Sequence, residues 1–234
     1  MFVPADFVET DLAWLDRLLA RDAFVTVVTT GSDGLPQVTL LPVVYQRDGE
    51  DILIEGHWAR PNPQAGHAGP ALVLVHGPHG YVSPGWYPDN AARSGVEQPK
   101  AGPQGEPQGG GEYKQGAARV PTWNYAAAEL RGTLEPVTDP EALIDMLDRL
   151  SAKYEAQVGG DWALLPIEPR QRRMLAGIIG FRFRAQQVQI KLKLSQNHPE
   201  ANQHGVIDAL SALDSPPSHE LAQWMRWKQG TPQP

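Results

Sequence analysis

Residues 24–55 read FVTVVTTGSDGLPQVTLLPVVYQRDGEDILIE, and this stretch decides the fold class. It holds three runs rich in β-branched and apolar residues, at 24–30, 37–45 and 51–55. The runs are joined by two turn sequences that contain Asp-Gly, at 31–34 and 47–50. Short β-rich runs joined by Asp-Gly turns are typical of hairpins. The stretch therefore predicts an antiparallel meander.

The rest of the chain carries both strand and helix patterns. Alternating or β-branched runs predict further strands at 71–76, 80–83, 122–137, 178–184 and 188–194. Leucines three and four residues apart predict helices over 12–19, after Thr138 as the capping residue, and within the C-terminal segment 205–229. This order favours a mostly β chain with peripheral helices (α+β), whose strands close on themselves. We expect residues 1–234 to form a single domain with helical additions.

One segment differs from the rest in composition. Residues 100–111 read KAGPQGEPQGGG and contain no apolar anchor. Such a segment cannot offset the conformational entropy that ordering would cost. We therefore predict a flexible loop insertion over 91–118.

Composition limits the classes of function. The net charge of -7 does not support DNA binding, although a local basic patch would remain compatible with it. The absence of cysteine excludes disulfides and thiolate metal sites. His76 and His79 lack a third ligand, so we predict no metal site. No apolar run reaches membrane length and the start does not resemble a signal peptide, which predicts a cytoplasmic protein without membrane contact.

The segment 55–64, EGHWARPNPQ, combines a cation, an imidazole and amides directly after a predicted strand. A phosphate monoester is well bound by a forked Arg60 donor with neutral donors around it. The alternative interpretation is a surface loop with a solvated Arg60 and with Trp58 packed on the sheet.

Two further segments have comparable character. Lys191–Asn197, KLKLSQN, forms either a cationic, donor-rich patch or an ordinary lysine-guarded edge strand. The aromatic segments 81–87 and 120–125 suit either the covering of a flat cofactor or packing in a core or an interface.

Together these segments resemble the PaiB-like family of FMN-binding negative transcriptional regulators. The motifs occur in the family's order along the chain: Leu40-Leu41-Pro42, HWARPNPQ at 57–64, YVSPGWY at 81–87, VPTWNY at 120–125, IIGF at 178–181 and KLKLSQN at 191–197. The chain departs from the family at Ala126–Gly132, AAAELRG, where the family tends to carry a histidine. A proton transfer assigned to that histidine does not carry over.

The resemblance implies an antiparallel split β-barrel of the FMN-binding type, a homodimer and FMN as the cofactor. Arg60 would hold the phosphate, and the predicted site residues are Leu40, Leu41, Pro42, His57, Trp58, Ala59, Arg60, Asn62, Gln64, Trp123, Lys193, Ser195, Gln196 and Asn197. The implied function is that of a flavin-binding (negative) transcriptional regulator or redox-sensing protein. The alternatives are a flavin-dependent oxidoreductase acting on a small molecule and a haem- or flavin-handling protein. The sequence assigns no catalytic residue.

Overall fold

The computed structural model describes residues 1–91 and 119–230. Apart from Ala91, the predicted loop insertion at 91–118 lies outside the described residues.

Eight strands of the described residues belong to one sheet. They are β1 (Val8–Glu9), β2 (Phe24–Thr30), β3 (Pro36–Pro42), β4 (Val44–Asp48), β5 (Asp51–Ala59), β6 (Gly69–Val82), β7 (Thr122–Val137) and β8 (Ile178–Lys193). Their order is β3-β2-β6-β7-β8-β5-β4, with β1 added to β8. The pairings of β2 with β3 and β6, and of β5 with β4 and β8, are antiparallel. The meander predicted from residues 24–55 is therefore confirmed.

The structure corrects three strand boundaries. The run 37–45 is divided at Val43, because β3 pairs with β2 up to Pro42, whereas β4 pairs with β5 from Val44 onward. The runs 71–76 and 80–83 are parts of the single strand β6, and 178–184 and 188–194 are both parts of β8. In both cases the intervening residues stay extended, so the strand continues through them.

The helices are α1 (Ala13–Arg21), α2 (Pro88–Ala91), α3 (Pro140–Val158), α4 (Pro169–Met174), α5 (Glu200–Ala212) and α6 (Pro216–Lys228). The cap of α3 is Asp139 and not Thr138, since the Asp139 carboxylate accepts from the backbone N–H of Ala142 at 2.9 Å. This helix ends at Gly159, whose φ of 70° is the left-handed conformation that glycine adopts without strain.

The chain divides into two compact units, and the unit boundaries fall inside β6, β7 and β8. The first unit comprises residues 1–3, 8–77 and 127–191; the second comprises the described residues of 4–7, 78–126 and 192–234. The expectation of a single domain over 1–234 stays a prediction.

Each unit has its own buried apolar residues. In the first unit, inward-facing side chains of β2, β5 and β8 are fully buried, among them Val25, Val27, Ile54, Trp58, Phe181 and Phe183. Helix α3 packs against the other face of β8, where a Cβ on Gly180 would lie 2.5 Å from Met146 and 2.7 Å from Leu143. In the second unit, α5 and α6 contribute Val206, Leu210, Leu221, Trp224 and Met225 to the buried residues.

Candidate functional site

Arg60 follows the last residue of β5 and is held at both its backbone and its side chain. Its backbone N–H donates to the carbonyl of Gly177 at 2.8 Å. In the side chain, Nε donates to the carbonyl of Ala176, and Nη2 donates to that of Ile178 at 3.1 Å. The segment from α4 into β8 therefore fixes the direction of an exposed guanidinium.

These hydrogen bonds leave part of the guanidinium available. A guanidinium has five N–H groups, and the two bonds to carbonyls use one on Nε and one on Nη2. The Nη1 hydrogens and the second Nη2 hydrogen have no partner among the described residues. They form the forked edge that binds a phosphate or carboxylate through two parallel bonds. Arg60 thus fits a phosphate ligand.

Asn62 and Gln64 follow Arg60 and fix the loop to the β2–β3 hairpin. Gln64 is fully buried, and its Nε2 donates to Thr29 Oγ1 at 3.1 Å and to the carbonyl of Gln37 at 3.1 Å. Asn62 donates from Nδ2 to Thr39 Oγ1 at 3.0 Å and accepts from the backbone N–H of Gln64 at 2.9 Å. Both amides hold the loop that carries Arg60. Their direct contact with a phosphate stays a prediction.

His57 and Trp58 are neighbours on β5 and point to opposite faces of the sheet. Trp58 is only 1% exposed and packs on Phe181, with the ring centroids 4.7 Å apart. His57 is half-buried on the α3 face, opposite Gly180 in the register. Within one protomer these two side chains do not line the same surface.

Three buried polar atoms of β5 have no hydrogen-bond partner within the described ranges: Glu55 Oε2, which lies beside Arg149, and the ring atoms His57 Nδ1 and Trp58 Nε1. Burial also lowers the pKa of His57, which therefore favours its neutral form. A buried polar atom without a partner is costly, and a bound ligand or water commonly satisfies such an atom. The His57 position, together with Arg60, is compatible with a polar cofactor at this end of β5. The exposed Ala59 lies on the same face as His57.

Leu40, Leu41 and Pro42 form the end of β3, which is a terminal strand of the sheet. Every second residue of such a strand points its backbone N–H and C=O groups away from the neighbouring strand. Leu40 is 58% exposed, whereas Leu41 is buried and would lie 3.1 Å from a Cβ placed on Gly56. The strand can offer backbone groups to a ligand, as the resemblance implies.

The remaining predicted residues belong to the second unit, where hydrogen bonds hold the end of β8. Lys193 Nζ donates to the carbonyl of Trp123 at 2.6 Å and to the hydroxyl of Thr122. Ser195 has a φ of 65°, unusual for a residue with a side chain, and its Oγ accepts from Asn124 Nδ2 at 2.9 Å. Gln196 accepts from the backbone N–H of Leu194 at 2.7 Å, and Asn197 is exposed. Lys193, Ser195 and Gln196 are thus held in a defined turn.

Sequence reasoning missed one feature of the second unit. Tyr81 lies beside the predicted Trp123, with 6.3 Å between ring centroids and planes at 78°. The aromatic segment 81–87 indicated aromatic packing, but only the pairing of β6 with β7 brings Tyr81 to Trp123.

The described residues, 1–91 and 119–230, contain neither a metal-binding cluster nor a membrane-spanning helix. No group of three or more His, Asp or Glu side chains there is arranged to hold a metal ion. None of the helices in these ranges combines the length and the apolar character of a membrane span.

The chain is similar to known proteins over most of its length. The chain is 28% identical over 232 residues to "Protease synthase and sporulation protein PAI 2" of Bacillus subtilis, with 97% of this chain and 98% of that protein covered. It is 24% identical over 265 residues to "Uncharacterized protein AN0679" of Emericella nidulans, with 97% and 96% covered. Among solved structures, the FAD and heme binding protein from Mycobacterium smegmatis aligns with a TM-score of 0.47 and 19% identity, over 80% of this chain and 73% of that chain.

The sequence profile of the family described as "Putative FMN-binding domain" matches residues 1–99 and 110–187, which is more than half of the chain. The mainly antiparallel sheet with outer helices and this match together confirm the predicted fold class, the split barrel of FMN-binding type. FMN, the predicted cofactor, is the ligand for which the family is named. The PaiB-like resemblance of its sequence motifs agrees with this match. The chain belongs to the family of proteins with this FMN-binding domain.

Proposed function

We propose that this protein is an FMN-binding regulatory protein, a (negative) transcriptional regulator or redox sensor, in which Arg60 holds the FMN phosphate. The observation that carries the proposal is the Arg60 guanidinium, which is anchored by the carbonyls of Ala176 and Ile178. Because the side chain is already anchored, little side-chain entropy is lost when a phosphate binds to its available forked edge.

The residues around Arg60 have distinct parts in this proposal. Asn62 and Gln64 orient the loop through Thr39 and the β2–β3 hairpin. The end of β3 offers backbone groups to the ring edge, and His57 offers an imidazole that is neutral near pH 7. Bound FMN supplies the redox chemistry, while the protein supplies binding and orientation.

A sensing or regulatory role is favoured over direct DNA binding. The name of the Bacillus subtilis relative includes the words "sporulation protein", and sporulation is a cellular process. The net charge of -7 does not favour phosphate contacts with a duplex.

Two measurements separate this role from the alternatives. An oxidoreductase would have its flavin bleached by a reduced nicotinamide and reoxidised by a small-molecule substrate. A direct repressor would shift a promoter fragment with a steep dependence on salt concentration, because phosphate contacts release counterions.

A homodimer is part of the proposal, and an exposed apolar surface of the first unit supports it. In the registers of β2 with β3 and β6, Val28 lies opposite both Val38 and Leu72, so these side chains share one face of the sheet. We call this surface the β2–β3 apolar face. Its well-exposed residues are Phe24, Val38 and Leu40, at 48%, 54% and 58%. A contiguous apolar patch of this kind marks an interaction surface, and a second copy of the chain would cover it.

The substitution Arg60→Ala tests the proposed phosphate contact. A charge-assisted hydrogen bond contributes roughly 1.5–3 kcal/mol, so we expect FMN to bind about 10- to 100-fold more weakly by titration calorimetry. Arg60→Lys keeps the charge but not the fork, and we expect an intermediate affinity. The control is Arg173→Ala, since Arg173 is an exposed arginine on α4. An unchanged affinity for FMN in a folded Arg60→Ala variant would reject the phosphate assignment.

A further inference from the structure

A surface cavity of about 440 Å³ lies between α1, β4 and α3. The described residues that line it all belong to the first unit. Its volume lies in the range of roughly 300–1,000 Å³ that is typical of small-molecule sites. The lining residues are Asp16, Leu19, Ala20, Tyr45, Arg47 and Lys153, and none of them is assigned to FMN.

The charge of Asp16 is already balanced inside this cavity. Its Oδ1 accepts from the Tyr45 hydroxyl at 2.7 Å and from Arg47 Nε at 2.9 Å. Arg47 Nη2 donates to the second carboxylate oxygen, and Nη1 donates to the carbonyl of Gly49 at 2.8 Å. The hydrogen bond from Arg47 holds the pKa of Asp16 below its ordinary value. This carboxylate is therefore ionised, and one guanidinium matches its charge.

Lys153 brings a second cation to the cavity. The side chain is half-buried, and its Nζ lies 5.7 Å from the ring centroid of the neighbouring Tyr154, where a cation–π contact orders the ammonium group. Within residues 1–91 and 119–230 this ammonium forms no hydrogen bond or ion pair, and the charge of Asp22 acts on it from beyond ion-pair distance. Burial lowers the pKa of Lys153, because an ammonium group that loses water without gaining a partner is destabilised. An anionic ligand would supply that partner.

The charges of the lining residues select the class of ligand. One carboxylate, Asp16, faces the two cations Arg47 and Lys153, so one positive charge of the cavity is not compensated. A phosphate monoester carries a charge of roughly −2 at pH 7 and would bring its second negative charge close to Asp16. A carboxylate carries only one negative charge, and α1 and the Tyr45 ring offer apolar surface to the rest of such a ligand.

We propose that this cavity binds a small organic carboxylate, whose anionic end pairs with Lys153 while its apolar body lies against α1 and the Tyr45 ring. The pair of Asp16 with Arg47 joins α1 to β4, so these two walls are in place before the ligand binds. The site does not depend on FMN, and it would give the protein a second small molecule to which it responds.

Titration calorimetry with benzoate as the probe tests this proposal. Benzoate should bind at one site, whereas benzyl alcohol, which lacks the charge, and inorganic phosphate should bind about 10-fold more weakly or not at all. Lys153→Met keeps the length of the side chain and removes its charge, and we expect it to weaken benzoate binding about 10-fold or more. The control is Arg170→Met, because Arg170 is an exposed cation on α4 and its loss should leave the affinity for benzoate unchanged.

Asp16→Asn provides a second test that does not depend on the folding of Lys153→Met. It removes the negative charge of the cavity, so we expect it to strengthen benzoate binding several-fold, the opposite of the change in Lys153→Met. A parent that does not bind benzoate, or a folded Lys153→Met variant with the affinity of the parent, would overturn the proposal. Weaker binding in Asp16→Asn would overturn it as well, since charge would then not govern the site.

Repeating the titration in the presence of excess FMN separates this site from the proposed flavin site. We expect the same affinity for benzoate with and without FMN. Loss of benzoate binding on addition of FMN would place benzoate at the flavin site and overturn the proposal. A protein that binds benzoate through Lys153 but takes up no FMN would contradict the proposed function alone.

Discussion

At the residue scale, His198 links pH to the stability of the second unit. Its Nδ1 accepts a hydrogen bond of 2.9 Å from Arg119 Nη1, and its ring packs edge-on against Tyr87. Burial, then the charges of Arg119 and Lys193, lower the pKa of His198 from its ordinary value of 6.5, while Asp89 acts in the opposite direction. Because the folded-state pKa is depressed, the stabilisation is complete above pH 6.5 and is lost as the pH falls through the folded pKa.

We therefore expect the melting temperature to fall between about pH 7.5 and pH 5.5, and to fall less in His198→Gln. Glutamine can accept the Arg119 hydrogen bond without titrating. The half-buried His57, whose pKa is also lowered, should maintain part of the pH dependence. His204→Gln, at an exposed position of helix α5, which begins shortly after His198, should follow the parent curve. Equal slopes for His198→Gln and the parent would contradict this account.

The residue types of the segment 55–64 predict Arg60 as a phosphate-binding residue, but the sequence could not indicate which groups anchor its side chain. The carbonyls that hold its guanidinium belong to Ala176 and Ile178, which are 116 and 118 positions away along the chain. Likewise, the segment HWARPNPQ predicts that Gln64 contacts a ligand, but the sequence could not indicate that Gln64 is buried through hydrogen bonds to the β2–β3 hairpin. Motifs reveal chemistry, but long-range backbone contacts decide the direction of each side chain.

At the element scale, a buried ionic group joins α3 to β5 and β8. Glu55 of β5 accepts from Arg182 Nε of β8 at 2.7 Å, and its other oxygen lies 2.7 Å from Arg149 Nη1 of α3, close but poorly aligned for a hydrogen bond. The Glu55 side chain is 2% exposed, and Arg149 also pairs with Asp145 at 2.9 Å. One carboxylate therefore balances two cations between the sheet and the helix.

Glu55→Gln removes that carboxylate charge and leaves two cations facing each other. Breaking a buried ion pair typically costs 3–5 kcal/mol, and the partial exposure of both arginines reduces this to roughly 2–4 kcal/mol of unfolding free energy. The control is Glu141→Gln, because the pair of Glu141 with Arg172 is largely exposed and should contribute less than about 1 kcal/mol. Denaturant titration measures both values. Equal effects of the two substitutions would show that the Glu55 group is not structural.

The elements themselves were predictable to different degrees. The strands of the meander and α1 follow directly from β-branched runs and leucine spacing, because those patterns report burial on one face. Helix α4 was not predicted, since its six residues include three arginines and no buried residue. It depends on Glu168 and Gln171, which cap it, and that local signal is weak without an apolar stripe.

At the scale of the whole molecule, the β2–β3 apolar face predicts self-association. Val38→Lys places a charge at the centre of this face, where it would be desolvated in a dimer. We expect the parent to have twice the mass of one chain by light scattering, and Val38→Lys to shift toward the mass of one chain. Leu35→Lys is the control, because Leu35 is 63% exposed but lies in the turn outside the strands. A parent that is monomeric, or a Val38→Lys variant that remains fully dimeric, would contradict this interpretation.

The visible absorption spectrum of the purified protein tests the central claim, which is that the chain carries FMN. The account predicts two bands, near roughly 370 and 450 nm, that come from the flavin ring and are only modulated by the protein. Heat denaturation should release a chromophore that has the mass of FMN. A single intense band near roughly 400 nm would instead indicate haem, and a protein that stays colourless after incubation with FMN would also contradict the account.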